Sequence, residues 1–426
     1  SGDTVTLGSG ASQSGFGREG SVNWQTAIKT STFTAANGEG YFCNTSGGAF
    51  TVNLPSASVG NIVAIKDYAG TFQTNNLTIT PNGSDKIDGI NGNATISTEN
   101  AAIVLVFADS TRGWLNANDS TNVEGAAFIT ATGGTITTCG NFKIHTFTSP
   151  GTFCVSAGAG PLAVVDYLVV AGGAGGGGND GGGGGAGGYR ESSGAASGCY
   201  TTSPLGSCVS ALPVTAQGYP IAVGGGGSAG NNNTDGGDGS NSVFSTITST
   251  GGGGGAAEDS PAAGGPANRK GEDGGSGGGG GQGGGGVGPG GSGNTPPVSP
   301  PQGNDGGDST GSYPVTPSSR GGGGGGGAGA AGSNNSTGTA GNGGAGVTSC
   351  ITGSPVARAG GGGGGGRSSG GSGGTGGGGA GSDTSATATA GTTNTGGGGG
   401  GAGEGSPGCR AAGGGSGIVI IRYKFQ

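Results

Sequence analysis

The chain has 426 residues, of which 120 are glycine and 18 proline, while apolar residues make up 29% and charged residues 9%. Glycine at this level without a Gly-X-Y period excludes collagen, and it makes low-complexity disorder the reading that any folded alternative has to displace. The net charge is −8, and the longest basic cluster is Arg269-Lys270, which excludes a nucleic-acid binder, since phosphates demand clustered Lys and Arg.

Taken in chain order, the opening SGDTVTLGSG begins inside a strand-like stretch. It is expected to close a segment that lies upstream, with residues 1–31 as its end. No span of 18 apolar residues occurs that would insert in a membrane. From 32 to 115 glycine falls to ordinary levels and strands alternate with turns. The expected strands are Phe50 to Pro55, Asn61 to Asp67, Leu77 to Thr80 and Ile103 to Phe107, followed by Trp114-Leu115. Pro81-Asn82-Gly83 and Asp88-Gly89 are turn signals. This pattern predicts a small β-domain over 32–115, and the polar stretch 116–126 reads as a linker.

Short strands follow around Phe128-Ile129, Thr135 to Thr137, Phe142 to Phe147 and Thr152 to Val155. His145, the sole histidine, lies in one of them and reads as a surface or packing residue. Next comes an apolar, β-branched run from Pro161 to Val170. It is matched about 250 residues later by a closing strand over 418–425, GIVIIRYKF in its context. Each run is too apolar to stand alone in water, so the two are expected to pair in one sheet. The glycine tract 171–417 is then an insertion pinned at both ends.

Glycine runs lack Cβ atoms and can approach one another closely. A run such as Gly360 to Gly366 suits a polyproline-II-type helix, with three residues per turn and a rise of about 3.1 Å per residue. Such helices make no internal hydrogen bonds, so inside a fold their amides and carbonyls must pair with neighbouring runs. The expected fold class is therefore all-β. A small N-terminal β-domain is followed by a β-sheet-anchored glycine-rich domain, 127–426, of packed polyglycine II helices.

Seven cysteines suggest three pairs, Cys139 with Cys154, Cys199 with Cys208 and Cys350 with Cys409, leaving Cys43 over. Free buried thiols are the alternative. Glu258-Asp259 and Glu272-Asp273 offer carboxylate pairs, but acids in glycine-rich loops are ordinarily solvated, and no catalytic set emerges. One histidine and no CxxC provide no zinc site. Asn231 to Asp238 and Asn304 to Asp308 carry oxygen ligands of the kind calcium takes, although Asn/Asp/Gly turns explain them more simply. No cofactor is expected. The loops between glycine runs differ from one another and suit recognition. Their candidate contact residues are Tyr189, Arg190, Tyr200, Arg269, Lys270, Tyr313, Arg320 and Arg358.

Two resemblances follow from these residues. NLPSA, VAIKDYAG, LTITPNGSDKIDG, IVLVFADS and GWL together resemble a small β-domain repeated along phage tail fibres and tailspikes. Tyr167 to Val170 leading into AGGAGGGG, then GGGGGAGGYRES, Leu212 to Thr215, Tyr219 to Val223 before GGGG, Ser242 to Phe244 and the terminal GSGIVIIRY resemble the glycine-rich domain at the ends of phage tail fibres. The architecture is also similar to polyglycine-helix adhesin tips. The resemblance implies a distal tail-fibre protein on the virion that binds a host glycan or outer-membrane protein through loops between polyglycine runs. It further implies other tail proteins upstream, a homotrimer at least over 1–115, no enzymatic activity and no membrane insertion. A purely structural virion or extracellular fibre, including one attached to the capsid, is the alternative.

Overall fold

The computed structural model describes residues 22–117, 124–125, 127–159, 162–198, 200–258, 269–283, 288–310, 320–404 and 410–426. The chain divides into two compact units. One reaches Phe128 and includes Gly158–Ala163; the other holds Ile129–Ala157 and Val164–Gln426.

The first unit carries β1 (Asn23–Trp24), β2 (Phe33–Thr34), β3 (Glu39–Cys43), β4 (Phe50–Asn53), β5 (Ile62–Asp67), β6 (Leu77–Thr80), β7 (Ala94–Ile96), β8 (Ala102–Asp109), β9 (Gly113–Asn116) and β10 (Glu124–Gly125). Two five-stranded sheets form, in the orders β1-β3-β5-β8-β9 and β10-β7-β6-β4-β2. The period of two is plain in β4 and β6, where Phe50, Val52, Leu77 and Ile79 point inward and the threonines and Asn53 between them do not. These side chains share one core with Tyr41, Val63, Ile65, Phe72, Leu105 and the fully buried Trp114. Asp67, in the VAIKDYAG stretch, is buried at the end of β5. Its carboxylate accepts the amides of Gly70, Thr71, Phe72 and Asn100, which ties two loops to the strand end.

The second unit carries β11 (Ala127–Thr132), β12 (Thr135–Cys139), β13 (Phe142–Phe147), β14 (Gly151–Ala159), β15 (Val164–Val170), β16 (Tyr189–Glu191), β17 (Leu212–Pro213), β18 (Gly218–Ala222), β19 (Ser242–Phe244), β20 (Ile247–Ser249), β21 (Val347–Ser349), β22 (Val356–Arg358) and β23 (Ile418–Lys424). One sheet runs β12-β13-β23-β15-β16 with β17 beside β15, and a second runs β11-β14-β18-β19-β20. The two apolar runs do pair. β15 lies antiparallel to β23, with Val170 opposite Ile418 and Asp166 opposite Arg422. β23 is a central strand, with β13 on its other edge. Val419, Ile421 and Tyr423 pack with Phe153, Tyr167, Tyr219 and Phe244 on one face. Ile418 and Ile420 pack with Ile144, Leu168, Val170, Tyr189 and Val347 on the other. A strand buried on both faces has no polar side to alternate, which is why its sequence is continuously apolar.

Between β15 and β23 the chain runs back and forth in short segments bound by backbone hydrogen bonds with a period of three. The segment 181–188 is surrounded. Its amides at Gly182, Gly185 and Gly188 donate to Ala256, Gly253 and Thr250. Those at Gly183 and Ala186 donate to Gly323 and Gly326, and those at Gly181, Gly184 and Gly187 to Ala402, Gly399 and Gly396. Its carbonyls accept from three further segments, through Gly177 and Ala174, through Ser276 and Gly279, and through Gly362 and Gly365. Three donors and three acceptors per turn, each aimed at a different neighbour, match a helix of three residues per turn ringed by six others. The packing leaves no room for a side chain: a methyl on Gly183 would lie 2.1 Å from the Gly362 carbonyl oxygen.

At the rim the same period shows in burial. In 224–230 only Gly224, Gly227 and Gly230 are buried, and in 341–347 Gly341, Gly344 and Val347. Rim amides that face away from any carbonyl find side chains instead. Asn241, Asp238 and Asp235, spaced by three, accept the amides of Gly251, Gly254 and Ala257 at 2.9, 2.8 and 2.7 Å. Asp305 and Asp308 do the same for Gly293 and Gly290. The oxygen-rich stretches singled out for calcium thus spend these carboxylates on lattice amides.

Of the expected cysteine pairs, only Cys139 with Cys154 has both members among the described residues. Cys139 ends β12 in one sheet and Cys154 lies in β14 of the other, and both thiols are free. Cys208 is an exposed free thiol, and Cys199 lies outside the described residues. Cys350, also free, sits beside β21. Cys409 lies outside the described residues.

Candidate functional site

The glycine segments have two ends. One adjoins the sheets, where β15 enters and β23 leaves. At the other, called here the far end, the segment after β15 turns through Asn179-Asp180 into 181–188. Charged and amide side chains gather at that far end because each follows or precedes a central segment. Asp180 starts the surrounded one, Glu258 follows 250–257, Gln282 ends 276–282, Arg320 precedes 321–327, Arg367 follows 360–366 and Glu404 follows 396–402. Inside the lattice none of these side chains would fit.

The result is an ion-pair rosette. Arg367 Nε lies 3.1 Å from the fully buried Asp180 carboxylate and also meets Glu404. Arg320 pairs with Glu258 and stands 3.6 Å from Glu404. The Glu404 amide donates to Asp180 Oδ1 (3.1 Å), and Arg269 donates to the Glu258 carbonyl oxygen. Gln282 Oε1 accepts from the Gly321 amide and from Asn335. Burial pushes the Asp180 carboxyl above its ordinary range, while the hydrogen bond and charge of Arg367 pull it back. Oxygens of Asp180, Glu258 and Glu404 lie within 4.8 Å of one another. The two guanidinium groups already interleave them, so the arrangement neutralises charge rather than concentrating it.

The sequence-derived contact residues divide between the two ends. Arg269, Lys270 and Arg320 are at the far end, where Lys270 is partly exposed and bonded to Asp273 (2.7 Å). Tyr313 lies outside the described residues. Tyr189, Arg190, Tyr200 and Arg358 are at the sheet end. Tyr189 is 1% exposed and Arg358 5%, which removes both from any contacting surface. The Tyr189 hydroxyl donates to Glu191, whose carboxylate also accepts from the Ser203 amide and the Ser349 hydroxyl. Burial raises the Glu191 pKa and lowers that of Arg358. Tyr200 is stacked against the Arg422 guanidinium at 5.2 Å, and Arg190 is half-buried in β16. Of the carboxylate pairs weighed for hydrolysis, Glu258 is held by Arg320 and Asp273 by Lys270 and the Ser292 amide, and Asp259 is outside the described residues.

Sequence reasoning missed Asp180, Gln282, Arg367 and Glu404. A signal was present: each is a charged or amide residue abutting a glycine run, as in GGGGNDGGGG and GGGGGGR.

A family model described as a glycine-rich domain matches residues 146–424. The chain belongs to this glycine-rich domain family. A second model, described as Bacteriophage T4 gp9/10-like protein, N-terminal, matches residues 18–118. No curated protein matches the chain. A glycine-rich domain that follows a phage-type N-terminal domain is the make-up of a phage tail-fibre protein.

Proposed function

We propose that this tail-fibre protein attaches a phage to its host. In this reading a cell-surface glycan or outer-membrane protein is bound by the turns at the far end of the glycine lattice. The carrying observation is the rosette. It ties the ends of five central segments to the surrounded one, so the turns around it, 231–234, 336–339, 367–369 and 383–387, stand on a rigid base. Lys270 offers a partly exposed cation there. The sheet end suits recognition less well, because its Tyr189–Glu191–Arg358 network is buried. The burial of those candidates favours the second reading, a purely structural fibre. The first unit serves to join other tail proteins, and its exposed Trp24, Ile28, Val59 and Tyr68 support a homotrimer there.

Exchanging the four turns for Gly/Ser segments of equal length while keeping Arg367 and its ion pairs, together with Lys270→Glu, tests the reading. Adsorption to host cells is expected to fall at least tenfold while the thermal midpoint stays in place. Undiminished adsorption by the folded variant rejects attachment through this end and leaves the structural fibre.

A further inference from the structure

We propose that Cys139 and Cys350 join in a disulfide once the protein leaves a reducing compartment, stapling the edge of the anchor sheet to the β21–β22 hairpin. Cys139 is the last residue of β12, which among the described residues has β13 on one side and no strand on the other. Its side chain packs against the cluster that contains Ile351, the residue after Cys350. The hairpin tip folds over it. The Gly353 amide donates to the Cys350 carbonyl oxygen (2.8 Å), which makes 350–353 a tight turn whose ends lie within about 7 Å. A methyl on Gly353 would stand 3.1 Å from the Cys139 sulfur. The Cys139 sulfur therefore touches the turn that Cys350 opens. A disulfide needs Cα atoms about 4.4–6.8 Å apart, and a turn that already lies against the Cys139 sulfur is placed to supply the partner.

Both thiols are half-buried, so a small reagent can reach them. The other described cysteines are placed less well. Cys154 is on the opposite sheet and Cys208 lines a shallow exposed pocket with Ser193, Val209 and Ser210. Cys43 belongs to the first unit, and burial pushes its thiol up to about 12. The chemistry is exchange with a small-molecule disulfide such as oxidised glutathione. One protein thiolate attacks a glutathione sulfur and expels a glutathione thiolate; the second attacks the mixed disulfide and expels another. One S–S bond breaks, one forms, and two protein thiol hydrogens end on two glutathione molecules. The bond closes a loop from 139 to 350, long enough that cross-linking constrains the unfolded chain strongly.

The test uses the full chain equilibrated with reduced or oxidised glutathione, then alkylated and cut with trypsin. Peptides 113–143 and 321–358 each carry one cysteine. After oxidation they are expected as a single cross-linked species that disappears in Cys139→Ser and in Cys350→Ser. The thermal midpoint of the wild type is expected to rise by several degrees on oxidation, and that of either variant to stay put. Complete alkylation of both peptides after oxidation overturns the proposal, as does Cys350 linked to Cys154, Cys199 or Cys208. The wild-type peptide map decides even where a variant fails to fold.

Discussion

His145 and Gly183 show how closely single residues are specified. His145 is fully buried on β13, edge-on to Phe153 at 5.0 Å between ring centres. Its Nδ1 lies 2.7 Å from the Gly133 carbonyl oxygen, which can only accept, so Nδ1 carries the proton and Nε2 accepts from the Tyr423 hydroxyl at 3.0 Å. Burial lowers its pKa, and the Lys143 charge adds to that, against the raising effect of the Gly133 bond. A histidine depressed in the folded state supports stability above its unfolded value of 6.5 and withdraws that support as pH falls toward the folded pKa. The thermal midpoint of the glycine-rich domain is therefore expected to drop from about pH 6.5 downward, and His145→Gln to flatten that slope; an equal slope in the variant rejects the assignment. Gly183 is constrained by space instead. Gly183→Ala drives a methyl against the Gly362 carbonyl and is expected to cost about 1–3 kcal/mol or more. Gly225→Ala at the rim, with nothing within 4 Å, is expected to be neutral or slightly stabilising in the same thermal melt.

At the scale of elements, what was legible depended on whether a segment carries a pattern that physics fixes locally. β6 and β13 match their expected spans, and β5 and β23 fall within one residue of theirs, because alternation or continuous apolarity marks a half-buried or a central strand. β3, EGYFC, and β7, ATI, escaped notice; their apolar stretches are too short to stand out, and they form because neighbouring strands pair with them. The glycine segments were legible as a class but not in their neighbours, since glycine runs are interchangeable by sequence and the partner is chosen by the connecting turns. The rosette was missed for the same reason: Asp180 and Arg367 are 187 positions apart, and only the lattice brings them together. The acidic rim does carry a local signature, the spacing of three in Asp235, Asp238 and Asn241. Asp238→Ala is expected to cost about 1 kcal/mol by leaving the buried Gly254 amide without its acceptor. Asp238→Asn, which keeps an acceptor, is expected to cost little. Faster hydrogen exchange at Gly254 in the alanine variant alone checks the mechanism.

For the whole molecule, the question is what holds a lattice with so few side chains against the entropy of its glycines. Each ordered residue opposes folding by roughly 1–2 kcal/mol, and glycine by more than the rest. Backbone hydrogen bonds that replace bonds to water contribute only about 0.5–1.5 kcal/mol each, so the lattice is close to balance on its own. The surplus has to come from the two apolar clusters that flank β15 and β23. Deleting 418–426 removes Ile418, Val419, Ile420, Ile421 and Tyr423 from both clusters. At about 1.5–3 kcal/mol for each fully buried apolar side chain, that is comparable with the whole stability of a domain, about 5–15 kcal/mol. The truncated chain is expected to lose protection at Gly182 to Gly187 and protease resistance across 171–417. The first unit, with its own core around Trp114, is expected to keep both. Hydrogen exchange resolved by peptide makes the distinction directly. A truncated chain whose 181–188 amides still exchange slowly would mean that the glycine segments hold one another without the sheet, and that the ion pairs at the far end rather than β23 close the lattice.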